Sequence, residues 1–198
     1  DIYSIKCLEH LKNLNFDISV MWSKKRGEKL QQISNTGIDY ILCYRSYFIL
    51  PRQLLKKPRF YSINFHPSPP TYPGSGGLNF ALYNNDRKFG VTIHLMNNQI
   101  DSGDIIITKN FKINNNDNVE SLLKKTHDVL LNSFINFTNQ LEENGEKYIK
   151  EMIKLNKNIS WSKIRRKIKE LDDYQEIDKK VSKLELKKRI RAFHTTSF

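Results

Sequence analysis

Apolar residues recur at helical spacing at Ile5, Leu8 and Leu11, which predicts a helix over residues 2–14. Asp17-Ile18-Ser19-Val20-Met21-Trp22 then reads as a strand, and a polar helix is expected from about Gly27 to Ile33. Ile38–Cys43 reads as a second strand, ended by the loop Tyr44–Ile49; Pro51 suits the first turn of a short helix carrying Leu54 and Leu55. Tyr61–Phe65 is a third strand that runs directly into His66. Pro67, Pro69, Pro70, Pro73, Gly74, Gly76 and Gly77 then crowd one stretch, a rigid irregular loop rather than a linker, because apolar structure resumes at once. Leu78, Ala81 and Leu82 open a short helix. Val91, Ile93 and Leu95 alternate with Thr92, His94 and Met96 along another strand, with which Ile105-Ile106-Ile107 pairs across the turn holding Asp101 and Gly103. Helical and extended patterns in alternation point to the α/β class.

The longest helix is expected to start near Asp117, where Asp117 and Glu120 have capping-box spacing. Its apolar stripe runs through Val119, Leu122, Leu123, Thr126, Leu130, Phe134, Phe137 and Leu141 as far as Asn144-Gly145. The tail is basic: Ser160–Leu171 is a helix candidate and Lys183–Phe193 a second amphipathic segment, which sets a soft boundary near residue 157. An open parallel sheet ordinarily starts with a strand, yet this chain starts with a helix, and it stops at Ser197-Phe198 with no closing element. Both ends read as trimmed.

With 198 residues, 38% of them hydrophobic, the chain has material for one domain with its own core, with or without a small appendage. No apolar run is long enough to cross a bilayer, and no signal-peptide pattern opens the chain. Cys7 and Cys43 lie far apart without metal-ligand spacing; they read as buried, reduced thiols, which favours a cytoplasmic setting. The net charge of +12 suits nucleic acid, an anionic membrane or a phosphorylated small molecule as partner. No nucleic-acid-binding motif accompanies it, and most lysines fall on solvated faces.

Three side chains stand out chemically. Asn64 and His66 alternate on one strand and so point to one side, at the C-terminal strand end where open α/β sheets bind ligands. An amide can hold an oxyanion, an imidazole can move a proton, and a carboxylate such as Asp101 can orient and charge that imidazole. Each also has a plain structural alternative: Asn64 as a turn-forming amide, His66 as a packed ring, Asp101 as a turn aspartate before Ser-Gly. His94 reads as a satisfied core histidine, or one that supports the reacting groups from behind, rather than a second base, and Trp22 as a core residue.

Asn64-x-His66-Pro67-Ser68, Tyr72-x-Gly74, Gly90-Val91-Thr92-Ile93-His94-x-Met96 and Asp101-x-Gly103-Asp104-Ile105, in this order, resemble the folate-dependent formyltransferases. The likeness is strong from about residue 38 to 110 and weaker elsewhere. It implies a Rossmann-like α/β formyltransferase core, N10-formyltetrahydrofolate as cosubstrate, no metal, and Asn64, His66 and Asp101 as the catalytic trio. It further implies that the loop with Tyr44, Arg45, Ser46 and Tyr47, together with Ile100, contacts the folate. Residues 1–157 would be the catalytic domain with its first strand missing, and 158–198 a small, truncated basic C-terminal region.

Tyr72-Pro73-Gly74-Ser75-Gly76-Gly77-Leu78-Asn79-Phe80-Ala81-Leu82-Tyr83-Asn84 bears on the acceptor. It resembles sugar-nucleotide N-formyltransferases of the dTDP-4-amino-4,6-dideoxyglucose type, which implies a nucleotide-linked amino-deoxysugar as acceptor, a role in surface polysaccharide (O-antigen, lipopolysaccharide) synthesis, a homodimer, and substrate contacts from Tyr72, Gly74, Asn79 and Tyr83. Methionyl-tRNA formyltransferases more often carry an arginine where Pro73 stands, and a larger C-terminal domain. Methionyl-tRNA formyltransferase, glycinamide ribonucleotide formyltransferase, formyltetrahydrofolate hydrolase, and a non-enzymatic RNA-binding protein using Lys163–Lys169 and Lys187–Arg191 remain the alternative readings.

Overall fold

A computed structural model describes residues 1–25, 28, 30, 37–176 and 181–194. Helix α1 (Ile2–Leu11) is capped by Asp1, whose carboxylate accepts from the amides of Tyr3 and Ser4. Four strands follow, β1 (Tyr40–Tyr44), β2 (Tyr61–His66), β3 (Lys88–Leu95) and β4 (Ile105–Lys112), in the sheet order β1-β2-β3-β4. β1 and β2 are parallel, with Tyr44 opposite Phe65, while β2–β3 and β3–β4 are antiparallel. Between them stand the short helices α2 (Arg52–Leu55) and α3 (Gly77–Tyr83). After the sheet come the long helix α4 (Val119–Leu155), the single turn α5 (Asp172–Gln175) and α6 (Lys183–Phe193).

The period of two along the strands separates core from site. Ile63 and Phe65 of β2, with Val91 and Ile93 of β3, face the main core and pack with Leu130, Phe134, Phe137 and Leu141 of α4. Ser62, Asn64 and His66, with Thr92 and His94, take the other face. A second core gathers Phe80, Leu82, Phe89, Leu122 and Phe193, so that α6 is seated on α3.

Several expectations shift. The predicted helix over 2–14 ends at Leu11, and its inward face is set by Cys7 rather than Ile5, which is 44% exposed. Residues 17–22 make no strand: no described strand accepts their hydrogen bonds, and alternation alone cannot form a ladder. Trp22, expected in the core, is 48% exposed. The expected helix at Gly27–Ile33 falls on a stretch of which only Glu28 and Leu30 are described. The cap of α4 is Asn118, which shares a reciprocal capping box with Ser121, while Asp117 accepts from Lys125 instead. Gly145 (φ 56) interrupts α4 where the predicted stripe stops, but the helix resumes and returns Ile149 to the core. Ser160–Leu171 is not a helix; apart from a 3-10 turn at Ile168–Leu171 it runs irregularly, because its backbone bonds to the 70–75 loop. The amphipathic segment Lys183–Phe193 is helical over that span, capped by Ser182. Cys7 and Cys43 are buried free thiols, and burial pushes both up to about 12, leaving them unreactive. No helix among the described residues is long and apolar enough to cross a membrane.

Candidate active site

β2 ends at His66, and its alternation sends Asn64 and His66 to the sheet face away from α4. The antiparallel register sets His94 directly opposite Asn64 and Thr92 opposite His66. The Thr92 hydroxyl donates to the Ser68 carbonyl at 2.7 Å, which pins the proline-rich loop as it leaves the strand. Asp101 arrives on the turn before β4, with φ 46, and its turn lies close against β3: a Cβ on Gly103 would collide with the Leu95 carbonyl.

The three predicted groups therefore meet. The Asp101 carboxylate lies 3.6 Å from His66 Nδ1 and 3.5 Å from His94 Nε2, both ion-pair separations. It also accepts from the Gly74 amide at 2.8 Å. His94 Nδ1 faces the Leu95 carbonyl at 2.8 Å, and His94 Nε2 lies 3.1 Å from Asn64 Nδ2. His94, expected either in the core or as a support behind the reacting groups, is 2% exposed and joins Asn64 to Asp101. The signal for it lay in the cross-strand register, which alternation within one strand does not reveal.

His66 is buried, and burial holds its imidazole below the usual histidine range, against the opposing pull of the Asp101 charge. For Asp101, burial alone would raise the carboxyl; the hydrogen bond with His94, the His66 charge and the Gly74 amide outweigh it and hold the group below the usual carboxylate range. A neutral imidazole beside an ionised carboxylate is thus the resting state near neutral pH. With Nδ1 turned to Asp101, His66 Nε2 is left to take a proton, and the Tyr72 carbonyl at 3.4 Å faces it.

The loop after β1 lies beside this strand end, since Tyr44 pairs with Phe65. The Tyr44 ring packs against Phe65 and Phe134. Arg45 has φ 50 and pairs with Asp1 at 2.9 Å; the Ser46 hydroxyl accepts from the Phe48 amide at 3.1 Å. Tyr47 and Ile49 on this loop, and Ile100 on the Asp101 turn, are exposed at 47%, 75% and 62%. Such exposed apolar side chains on two loops suit a flat, mostly apolar ring system.

The expected substrate-contacting residues divide. Gly74 is at the site through its amide. Tyr72 reaches His66 through its carbonyl, while its hydroxyl donates to Asp86 at 2.6 Å. Asn79 and Tyr83 are turned elsewhere, as a correction to the sequence reading: Asn79 Nδ2 donates to the Ala192 carbonyl at 2.7 Å and the Tyr83 hydroxyl to Glu185 at 2.9 Å. Both side chains serve the seat of α6, whose docking on α3 local sequence does not announce. Sequence reasoning also passed over Trp161, whose indole N–H donates to the Gly103 carbonyl at 2.8 Å. A lone tryptophan in a Lys- and Asn-rich tail was its one available signal.

The sequence profile of the formyl transferase family matches residues 16–138. The chain is 32% identical over 112 residues to methionyl-tRNA formyltransferase of Ehrlichia canis, covering 56% of this chain and 37% of that protein. A 4-N formyltransferase from Francisella tularensis shares the fold with a TM-score of 0.62 and 23% identity, over 78% of this chain and 60% of that one. An N-formyltransferase from Helicobacter canadensis, solved with folinic acid and dTDP-3-aminofucose, superposes with a TM-score of 0.51 and 25% identity, over 70% of this chain and 50% of that one. The chain spans less than two thirds of the length of each. A family profile over residues 16–138, on a sheet shared with solved formyltransferases, shows that this chain belongs to the formyl transferase family.

Proposed function

We propose that the protein transfers a formyl group from N10-formyltetrahydrofolate to the amine of a nucleotide-linked amino-deoxysugar destined for surface polysaccharide. The observation that carries the reading is the buried Asp101 carboxylate facing His66 at 3.6 Å, with Asn64 alongside on the same strand. The folate supplies the formyl carbon, and the loop 44–49 with Ile100 would hold it. Asn64 has two amide N–H groups; one faces His94, and the other would hold the formyl oxygen as negative charge builds there. His66 Nε2 takes the proton that the attacking amine loses. The resulting imidazolium is balanced by Asp101 and by the Tyr72 carbonyl, and the proton then returns to the departing nitrogen.

A sugar nucleotide as acceptor is supported by the Tyr72–Asn84 motif and by the ligands of the Helicobacter relative. A cleft of about 750 Å3 next to Tyr72 and Pro73 carries Arg87, Lys88 and Arg166 against one carboxylate, Asp86, a size and net positive charge that suit a nucleoside diphosphate. Methionyl-tRNA is the second reading, favoured by the Ehrlichia relative. Incubation with formylfolate and either an amino-sugar nucleotide or methionyl-tRNA separates the two. His66→Ala and Asp101→Asn should abolish transfer in a folded protein. Formate release independent of any amine, or near-normal turnover in either variant, would overturn the proposal.

A further inference from the structure

Residues 161–166 lie beyond the stretch matched by the family profile, yet they tie together both loops of the site. On one side the Ser162 amide donates to the Pro70 carbonyl at 2.9 Å, and Gly74 and Arg166 pair across a short parallel bridge, in which the Ser75 amide donates to the Arg166 carbonyl at 3.0 Å. That side holds the loop that leaves His66. On the other side Trp161 Nε1 donates to the Gly103 carbonyl at 2.8 Å and Arg165 Nε to the Ile100 carbonyl at 3.2 Å. That side holds the turn that carries Asp101.

The indole ring meets both imidazoles in T-shaped contacts. Its centroid is 4.8 Å from that of His94, at 80°, and 5.9 Å from that of His66, at 67°. Trp161 belongs to neither hydrophobic core of the described residues, and His66 and His94 are the aromatic rings it meets. A tryptophan used as bulk filler would be packed among aliphatic and aromatic side chains instead.

We infer that Trp161 is a positioning residue for formyl transfer: its ring closes one side of His66 and His94 against water, and its N–H sets the Asp101 turn against them. The inference rests on the reading of His66 and Asp101 as the proton-transfer pair. The physical effect is twofold. Removing water from one side of the pair strengthens the Asp101–His66 interaction, because the local dielectric falls. Holding the turn from outside keeps a pair that is only at ion-pair distance from drifting further apart.

The test compares Trp161→Ala and Trp161→Phe with the parent protein by two readouts. The first is steady-state kinetics with formylfolate and the amine acceptor. The second is the titration of the His66 ring followed by NMR, which needs no reaction. Trp161→Ala should lower kcat at least ~10-fold with KM altered less than ~3-fold, and the His66 titration should move up toward the ordinary histidine value as water enters. Trp161→Phe keeps a ring but loses the donor to Gly103, so kcat should fall less and the His66 titration should stay close to that of the parent. If Trp161→Ala does not fold, the partial kcat loss in Trp161→Phe carries the test, and parent-like kcat there overturns the inference. Unmoved kcat and an unmoved His66 titration in Trp161→Ala also overturn it. Should the parent protein transfer no formyl group to any amine, the function reading fails, and the His66 titration alone still decides the role of Trp161.

Discussion

The main-chain amide of Gly74 donates to the Asp101 carboxylate at 2.8 Å, so the loop that leaves His66 also grips the carboxylate that faces His66. Gly74 has φ 91, and a Cβ there would collide with the Arg166 main chain. Gly74→Ala should therefore destabilise the protein by more than about 1 kcal/mol and weaken both the Asp101 contact and the 161–166 strap. Denaturant midpoints read the first effect. A kcat loss larger than the change in KM reads the second.

Asn64 shares a strand face with His66 and lies across the ladder from His94. Asn64→Ala removes the donor proposed for the formyl oxygen and should lower kcat by about 10²- to 10³-fold, roughly 3 kcal/mol of barrier, with KM little changed. Asn64→Asp keeps the shape but replaces a donor by a negative charge and should be no better. A kcat within a few-fold of normal in the alanine variant would remove Asn64 from the mechanism.

The acid limb of kcat/KM should reflect His66. Its ring must be neutral to accept a proton, and burial holds it below the ordinary value near 6.5, so activity should persist below that pH and fall only as the lowered pKa is crossed. The Asp101 charge opposes that burial effect by favouring the imidazolium. Asp101→Asn should thus move the His66 titration further down, not up, an outcome that NMR of the ring can check even where turnover is lost.

His127 of α4 packs its ring against Tyr3 of α1, with centroids 4.9 Å apart, and burial lowers it to about 4. Between about 6.5 and 4 the unfolded chain binds a proton that the folded chain refuses, so stability falls as pH drops through that window. His127→Gln should flatten the pH dependence of the thermal midpoint over the same range.

Asn79→Ala deletes the hydrogen bond to the Ala192 carbonyl, which belongs to a residue with no exposure. The expected cost is about 1–3 kcal/mol of stability, with KM for the acceptor unchanged. A rise in KM without loss of stability would instead restore Asn79 as a substrate contact.

The sequence by itself determined most elements of the sheet and its flanking helices, because alternation, 3.6-residue periodicity and turn residues are properties of consecutive positions. β2 and β3, the loop between them and α6 were all legible in this way, as were Asn64 and His66 on one face and Asp101 on a nearby turn. Residues 17–22 show the limit: they alternate like a strand, yet pairing requires a neighbour, and none of the described strands provides one. Only the tertiary structure decided which groups share the site. His94 enters through the register between strands 30 residues apart, Asn79 and Tyr83 leave it because α6 docks on α3, and Trp161 reaches it because the tail bonds across two loops. Each depends on contacts between distant segments, whose free energy no local pattern records.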